Sequence, residues 1–399
     1  MTSPLPSLDA PAFLDLMQSL LLHHSRSGNP FPVPHRERAA FGEKRCFELC
    51  SPDVWKAAAH DLVTMFMLSE TPEMDGILGL HPDLPMRERA EQLCTLWRHG
   101  PRNIAFSTSG STGIPRLCVH SEADLQQEAL CLKDMLAGKK AFLSTVPPHH
   151  LYGFTFGLYL PLLCGVPVER TLPLSSLVVS KIRKDQAVVG VPLLWDAVAR
   201  GHAEPAPPNV TLLSASAPVR PETLSALERR GYALLDIFGS SETGVIGIRH
   251  HPGDPYRLLP YFRRGTEGQE LLRTLPDGSL AVCPLMDVLR WENAREFHPE
   301  GRKDHAVQVG GVNVYPALVE RRLRLLPGVA ACAVRLTKHG EDSRLKAFIV
   351  MEKGVEEAAL RKELRDFLQT LPPEERPVQL SFGTELPRNA MGKLCDWQP

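Results

Sequence analysis

The chain has 399 residues, 43% of them apolar and 23% charged, and its 45 basic and 46 acidic side chains leave a net charge of −1. That balance excludes a disordered chain and a globally basic nucleic-acid binder, and it gives no field to attract an anionic membrane. The length exceeds what one hydrophobic core usually organises, so two domains are expected.

The N-terminal stretch MTSPLPSLDAPAFLDLMQSLLLHH has no basic start and carries Asp9 and Asp15 around its apolar run, which predicts a capped amphipathic helix and not a secretory signal. Nine cysteines are scattered without a CxxC pair or a zinc-type cluster, as in reduced thiols of a cytoplasmic protein. From about residue 100 to 250, short apolar runs alternate with amphipathic segments, the pattern of an α/β sheet. Residues 141–146, 187–192, 210–216 and 233–239 are predicted strands, and 121–138 and 220–231 are predicted helices. The segment 151–168 is uncharged, but Pro161, Pro167 and three glycines predict a buried helix with strand flanks and no membrane span.

After residue 250 the Gly/Pro-punctuated texture predicts antiparallel β structure. Beyond residue 305 a helix, two strands and a second helix predict a small α+β unit. The expected fold is therefore a large α/β domain with a β-rich subregion, residues 1–302, and a small α+β domain, residues 303–399.

Four stretches carry chemistry. In FSTSGSTGIPRL, the hydroxyls of Ser107, Thr108, Ser109, Ser111 and Thr112, with backbone freed by Gly110 and Gly113 and with Arg116 at the exit, suit phosphate oxygens. It is not a Walker loop, because the GK[ST] ending is absent; the plain alternative is a surface turn. In DIFGSSETG a strand runs into a turn where Glu242, between Ser241 and Thr243, suits a hydrated magnesium ion, or else belongs to a helix N-cap. Asp287 and Arg302 could hold ribose hydroxyls or form surface ion pairs. Lys393, after Gly392, is either functional or simply solvated.

Taken in this order, STSGSTGIPR, FGSSETG, GRKDHAVQVGGVNVYP and LPRNAMGK resemble the core motifs of the adenylate-forming superfamily of acyl-CoA ligases, peptide-synthetase adenylation domains and luciferases. The resemblance spans roughly residue 100 to the end. It implies an ATP- and Mg²⁺-dependent ligase that forms an acyl-adenylate with release of pyrophosphate and passes the acyl group to a thiol, either CoA or carrier-protein phosphopantetheine. By that resemblance the Ser107–Gly113 loop and Arg116 would clasp the ATP phosphates, Ser241 the α-phosphate, Glu242 Mg²⁺, and Asp287 with Arg302 the ribose. Ser214, Ala215 and Ser216 match the adenine turn, with Phe238 and Gly239 on the other side of the base. Lys393 would stabilise charge at the α-phosphate. Asp304 sits at the family's hinge, about which the small mobile domain turns, and Gly310 with Gly311 would line the thiol channel.

VPPHHLYGF resembles the family's FHxYG segment, so His150 would lie beside the acyl carboxylate, with Tyr152, Gly239 and Gly244 lining the acyl pocket. These features look nearest to short 4-coumarate and hydroxybenzoate ligases, which implies an aromatic acid. Arg116 and Gln308 stand where the family commonly has Lys, and Leu318 where it often has Glu. The region before the phosphate loop is shorter than usual. A scaffold that kept the fold and lost turnover is the alternative of another class.

Overall fold

The computed structural model describes residues 7–25, 40–68, 78, 84–108, 116–217, 219–251, 253–266, 270–303, 306–310, 312–337, 343–387 and 395–397. The chain divides into two compact units, one of residues 1–108, 117–284 and 291–298, the other of 109–116, 285–290 and 299–399. No described helix is long and apolar enough to cross a membrane.

The first unit opens with helix α1 (Ala10–His24), whose N-terminus is capped by Asp9 accepting the Ala12 N–H at 2.9 Å. The predicted amphipathic character does not hold. Every residue from Ala12 to Leu21 is buried, including Asp15, Gln18 and Ser19. Helices α2 (Pro52–Phe66) and α3 (Met86–His99) both pack on α1, and Phe13 meets Phe66 at 4.5 Å and Trp97 at 5.9 Å between ring centroids. Asp15 is tolerated there because the Arg170 guanidinium, almost as deeply buried, lies 2.7 Å away.

A two-stranded ribbon, β1 (Asn103–Thr108) and β2 (Arg116–Ser121), leads into α4 (Glu122–Met135), capped by Ser121. The main sheet begins at β3 (Ala141–Ser144). The uncharged segment then forms a buried helix, α5, in three pieces: Leu151–Phe154, π-helical Thr155–Tyr159, and Leu160–Cys164. Pro161 has no N–H for the carbonyl four residues back, and that carbonyl, of Gly157, accepts from Arg170 Nη2 at 2.8 Å instead.

Strand β4 (Val168–Arg170), α6 (Ser175–Lys181), β5 (Gln186–Gly190), α7 (Pro192–Gly201), β6 (Thr211–Ser214), α8 (Pro221–Glu228) and β7 (Ala233–Ser240) follow. In space the strands run β7-β6-β5-β3-β4, all parallel, as the alternating pattern predicted. Val188, Leu212 and Leu234 on adjacent strands share one core with Trp195, Val198, Leu224 and Leu227, each side chain contributing roughly 1.5–3 kcal/mol by burial. Beyond β7 the sheet turns antiparallel through β8 (Gly244–Arg249) and β9 (Tyr256–Leu258). Strands β10 (Phe262–Arg264), β11 (Glu270–Thr274) and β12 (Leu280–Pro284) form a separate antiparallel meander. The chain continues through β13 (Asp287–Trp291) to β14 (Glu296–Arg302), whose Glu296 and Phe297 pair with β9.

The second unit holds a hairpin, β15 (Val307–Val309) and β16 (Val312–Val314), then α9 (Pro316–Leu323), β17 (Val329–Leu336), β18 (Leu345–Met351), α10 (Glu357–Thr370) and β19 (Pro377–Gly383). The expected helix, two strands and helix are present, and β19 adds a third strand parallel to β18. Val319, Leu323, Cys332, Leu345, Ile349 and Leu364 form its core. Leu318 is buried as well, a position where a glutamate would have to be desolvated.

Candidate active site at the carboxyl ends of the sheet strands

Ligands of open α/β sheets gather at the carboxyl ends of the parallel strands. The register places Gly190, Ser214 and Asp236 side by side across β5, β6 and β7 near that edge. The Ser214 hydroxyl is buried and finds no partner among the described residues. The chain then passes through buried Ala215 to exposed Ser216, whose φ of +80° is costly for a residue with a Cβ.

The β7–β8 connection is a tight turn between antiparallel strands and not a helix N-cap. Gly239 is obligatory there, because a Cβ would lie 2.2 Å from the Gly244 carbonyl oxygen. Gly244, at φ +73°, leaves room for the carboxyl of Glu128, whose Oε2 would stand 2.3 Å from an added Cβ. Both glycines thus serve the backbone packing of the turn. Thr243 is buried, its N–H donating to the Ser240 carbonyl at 3.3 Å and its hydroxyl 3.1 Å from that of Ser240. Ser241 is half-buried, and Glu242 projects into solvent.

Phe238 packs its half-buried ring against Tyr256 at 5.3 Å and Phe297 at 5.4 Å. Beneath it Asp236, fully buried, accepts from Arg249 Nε at 2.9 Å and the Tyr256 hydroxyl at 2.8 Å. Burial pushes its carboxyl pKa up, and the Arg249 charge pulls against that shift. The Tyr152 ring packs on Phe156 at 5.3 Å, and its hydroxyl lies 2.9 Å from the Gly190 carbonyl and 3.0 Å from that of Leu213. A phenol has one proton for two acceptors, so the oxygen is tied to the strand ends.

The histidine turn owes its shape to Gly153, where a Cβ would stand 2.0 Å from the Pro147 carbonyl oxygen. Four imidazoles follow one another in a row, edge-on or tilted, His24–His23 and His23–His149 at 5.0 Å and His149–His150 at 4.3 Å between centroids. His24 Nε2 meets Asp61 at 2.7 Å, and His149 Nδ1 meets the Ser19 hydroxyl at 2.8 Å. Crowding by protein, then the charge of His23, brings the His150 pKa down to about 4. His150 is exposed at this turn, and with its pKa held below the usual 6.5 its ring is neutral at pH 7.

The His149 pKa lies well below the usual 6.5 through burial, then the charges of His150, His23 and His24. The unfolded chain therefore takes up a proton that the folded one refuses, and stability falls as pH drops below 6.5. His149→Asn is expected to flatten this fall, measured as the difference in urea midpoint between about pH 7 and about pH 5. An equally steep fall in the variant would assign the effect elsewhere.

In the second unit the Lys303 N–H donates to the Met286 carbonyl at 2.9 Å, and Asp287 and Arg302 lie on the neighbouring strands β13 and β14. Gly310 follows β15 in the connection to antiparallel β16, at φ +59°, a conformation that favours glycine. Gln308 is hydrogen-bonded to Asn313 across that hairpin. Near the end of the chain the Cys395 N–H donates to the Pro387 carbonyl at 2.9 Å. Lys346, 3% exposed, donates to the Trp397 carbonyl at 2.7 Å, pairs with Asp396 at 2.9 Å and lies over the Trp397 ring. Ser107 is exposed at the end of β1, followed by Thr108, and Arg116 opens β2. Ser109, Gly110, Ser111, Thr112, Gly113, Asp304, Gly311 and Lys393 lie outside the described residues.

Sequence motifs missed His120, Glu128 and the Asp236–Arg249–Tyr256 group. Glu128 had one signal: it shares a helix face with apolar Leu125, Ala129 and Leu132, where a lone acid needs internal partners.

Residues 88–268 match the family of AMP-binding enzymes. The 4-coumarate–CoA ligase of Halorhodospira halophila is 38% identical over 84% of this chain and 85% of its own length. That of Cereibacter sphaeroides is 36% identical over 84% and 83%. The chain belongs to the adenylate-forming AMP-binding enzyme family. This AMP-binding enzyme is an acid–thiol ligase of the acyl-adenylate-forming type. Its fold is shared by o-succinylbenzoate CoA synthetase from Bacillus subtilis, with a TM-score of 0.59 at 20% identity over 73% of this chain and 67% of the other.

Proposed function

We propose that the enzyme activates an aromatic acid of hydroxycinnamate or hydroxybenzoate type with MgATP and transfers the acyl group to CoA. The observation that carries this is the identity of more than a third with two 4-coumarate–CoA ligases across most of both chains. The geometry supports it: the Ser214–Ser216 turn, the Glu242 turn and the His150 turn all arise at or beside the carboxyl edge of one sheet.

Attack of the acid on the α-phosphorus of ATP asks the protein for positioning and charge neutralisation more than for covalent chemistry. Ser214–Ser216 and Phe238 hold the adenine, Ser241 contacts the α-phosphate, and Asp287 with Arg302 takes the ribose. His150, neutral at pH 7, stands by the acid without adding a charge. Lys393 supplies positive charge in the first half-reaction, and a hinge at Asp304, between domains 1–302 and 303–399, removes it for the second. The Gly310 hairpin then serves the thiol.

A magnesium ion fits Glu242 by the chemistry of its donor: the carboxylate is exposed on a tight turn beside the half-buried Ser241. Mg²⁺ keeps most of its waters and needs few protein ligands. When bound it would neutralise phosphate charge.

Pyrophosphate release is the test, with ATP, Mg²⁺ and a panel of hydroxycinnamic, hydroxybenzoic and straight-chain fatty acids, each with and without CoA. Steady turnover on an aryl acid, rising strongly with CoA, is expected. A single slow burst unchanged by CoA would transfer the assignment to a carrier-protein phosphopantetheine, and preference for fatty acids would overturn the aryl reading.

A further inference from the structure

The β7–β8 turn is held from behind by two side chains that belong to none of the motifs. His120, on the buried side of β2, places Nε2 2.7 Å from the carbonyl oxygen of Ser241. Glu128, on α4, accepts the Val245 N–H through Oε2 at 2.8 Å and the Thr155 hydroxyl through Oε1 at 3.3 Å. Their exposures are 5% and 1%.

Ser241–Gly244 is therefore pinned at both ends, by an imidazole before Glu242 and by a carboxyl after it. Gly244 lets the carboxyl seat directly against the backbone. The Tyr261 hydroxyl donates to the Val245 carbonyl at 3.2 Å, and the Arg273 guanidinium lies over the Tyr261 ring at 4.8 Å. Burial keeps the His120 ring neutral, so its Nε2–H is the donor to Ser241 and its Nδ1 is the bare nitrogen.

We propose that His120 and Glu128 are positioning residues that preform the turn carrying Ser241 and Glu242 for MgATP. Neither touches the nucleotide. Each satisfies one backbone group of a turn whose only acid points into water, so the ordering cost falls on folding and not on binding. Both bracing side chains come from β2 and α4, which are consecutive in the chain, so one short segment supplies both contacts to the Glu242 turn. The inference rests on the reading of this turn as the Mg²⁺ side of the site.

The test is calorimetric titration of ATP into acid-free enzyme, with and without Mg²⁺, which requires no turnover. In the wild type Mg²⁺ is expected to tighten ATP binding, and Glu242→Gln should remove that gain. His120→Ala and Glu128→Ala should each lose about tenfold of it while Mg²⁺-free binding changes less than about threefold. His120→Gln, which keeps an N–H donor, and Glu128→Gln, which keeps an acceptor for Val245, should recover most of the gain. Amide exchange at Val245 should accelerate at least about tenfold in Glu128→Ala. If Glu242→Gln loses the gain but both alanine variants keep it, the positioning roles fall and the site reading stands. If Glu242→Gln itself keeps the gain, the site reading falls. Should Glu128→Ala not fold, the His120 pair carries the test alone.

Discussion

Replacing Lys393 with alanine is expected to lower acid-dependent exchange of pyrophosphate into ATP by at least two to three orders of magnitude, while thiol capture from a supplied acyl-adenylate stays within a few fold. As the acid oxygen bonds to the α-phosphorus, negative charge gathers on oxygens that no other group in the proposed site neutralises in quite the same place. Removing one preorganised donor from such a centre usually costs about 10² to 10³ in rate. In the proposed second half-reaction the thiol attacks the acyl carbonyl and AMP leaves, so charge develops on the carbonyl oxygen, a step for which the proposal gives Lys393 no role. The substitution should leave the flanking structure alone, because Pro387 and Cys395 are joined through their backbones and the tail beyond is held by Lys346. Both half-reactions can be followed separately, one by isotope exchange and the other by thioester formation. Equal loss of the two would refute a lysine used in only one of them.

The second large effect concerns the group beneath Phe238. Arg249→Leu is expected to destabilise the first unit by about 3–5 kcal/mol near pH 7, because it leaves the Asp236 carboxylate buried without its counter-charge. The sign of the pH dependence is fixed by the same pair. Burial already raises the Asp236 pKa and Arg249 opposes the rise, so without the guanidinium the pKa climbs further and the acid protonates earlier as pH falls. The deficit should therefore be largest at high pH and shrink on acidification. Urea unfolding of both proteins at about pH 8 and about pH 5.5, followed by tryptophan fluorescence, measures it. Adding Asp236→Asn should restore part of the loss. A deficit under about 1 kcal/mol, or one that grows on acidification, would contradict the account.

Much of the sheet was legible because its parallel strands are buried on both faces: QAVVG and TLLS read as continuous apolar runs between turn residues. Strand β19 was not. It begins with Pro377, carries Gln379 and Ser381, and lies at an edge, where propensity and alternation say little. The all-round burial of α1 was hidden for another reason. Asp15 looks like a solvent-facing residue until its partner Arg170, far away in the chain, is known.

The site divides along the same line. Ser241, Glu242 and His150 announce themselves because they cluster in short polar turns at strand or helix ends. His120, Glu128 and Asp236 derive their meaning from contacts with Ser241, Val245, Arg249 and Tyr256, which only the folded sheet brings near.

The interlock of Glu128 with Gly244 also constrains how this chain can drift. A side chain at 244 would need a left-handed backbone and the space that a carboxyl oxygen occupies. Shortening Glu128 alone would strand the buried Val245 amide, at a cost of about 1–3 kcal/mol. Each single exchange is a step down, and shortening Glu128 would clear the space at 244 but leave its left-handed backbone, which still favours glycine. The two behave as one inherited character, and grafting either residue from a relative without its counterpart brings in half of a joint.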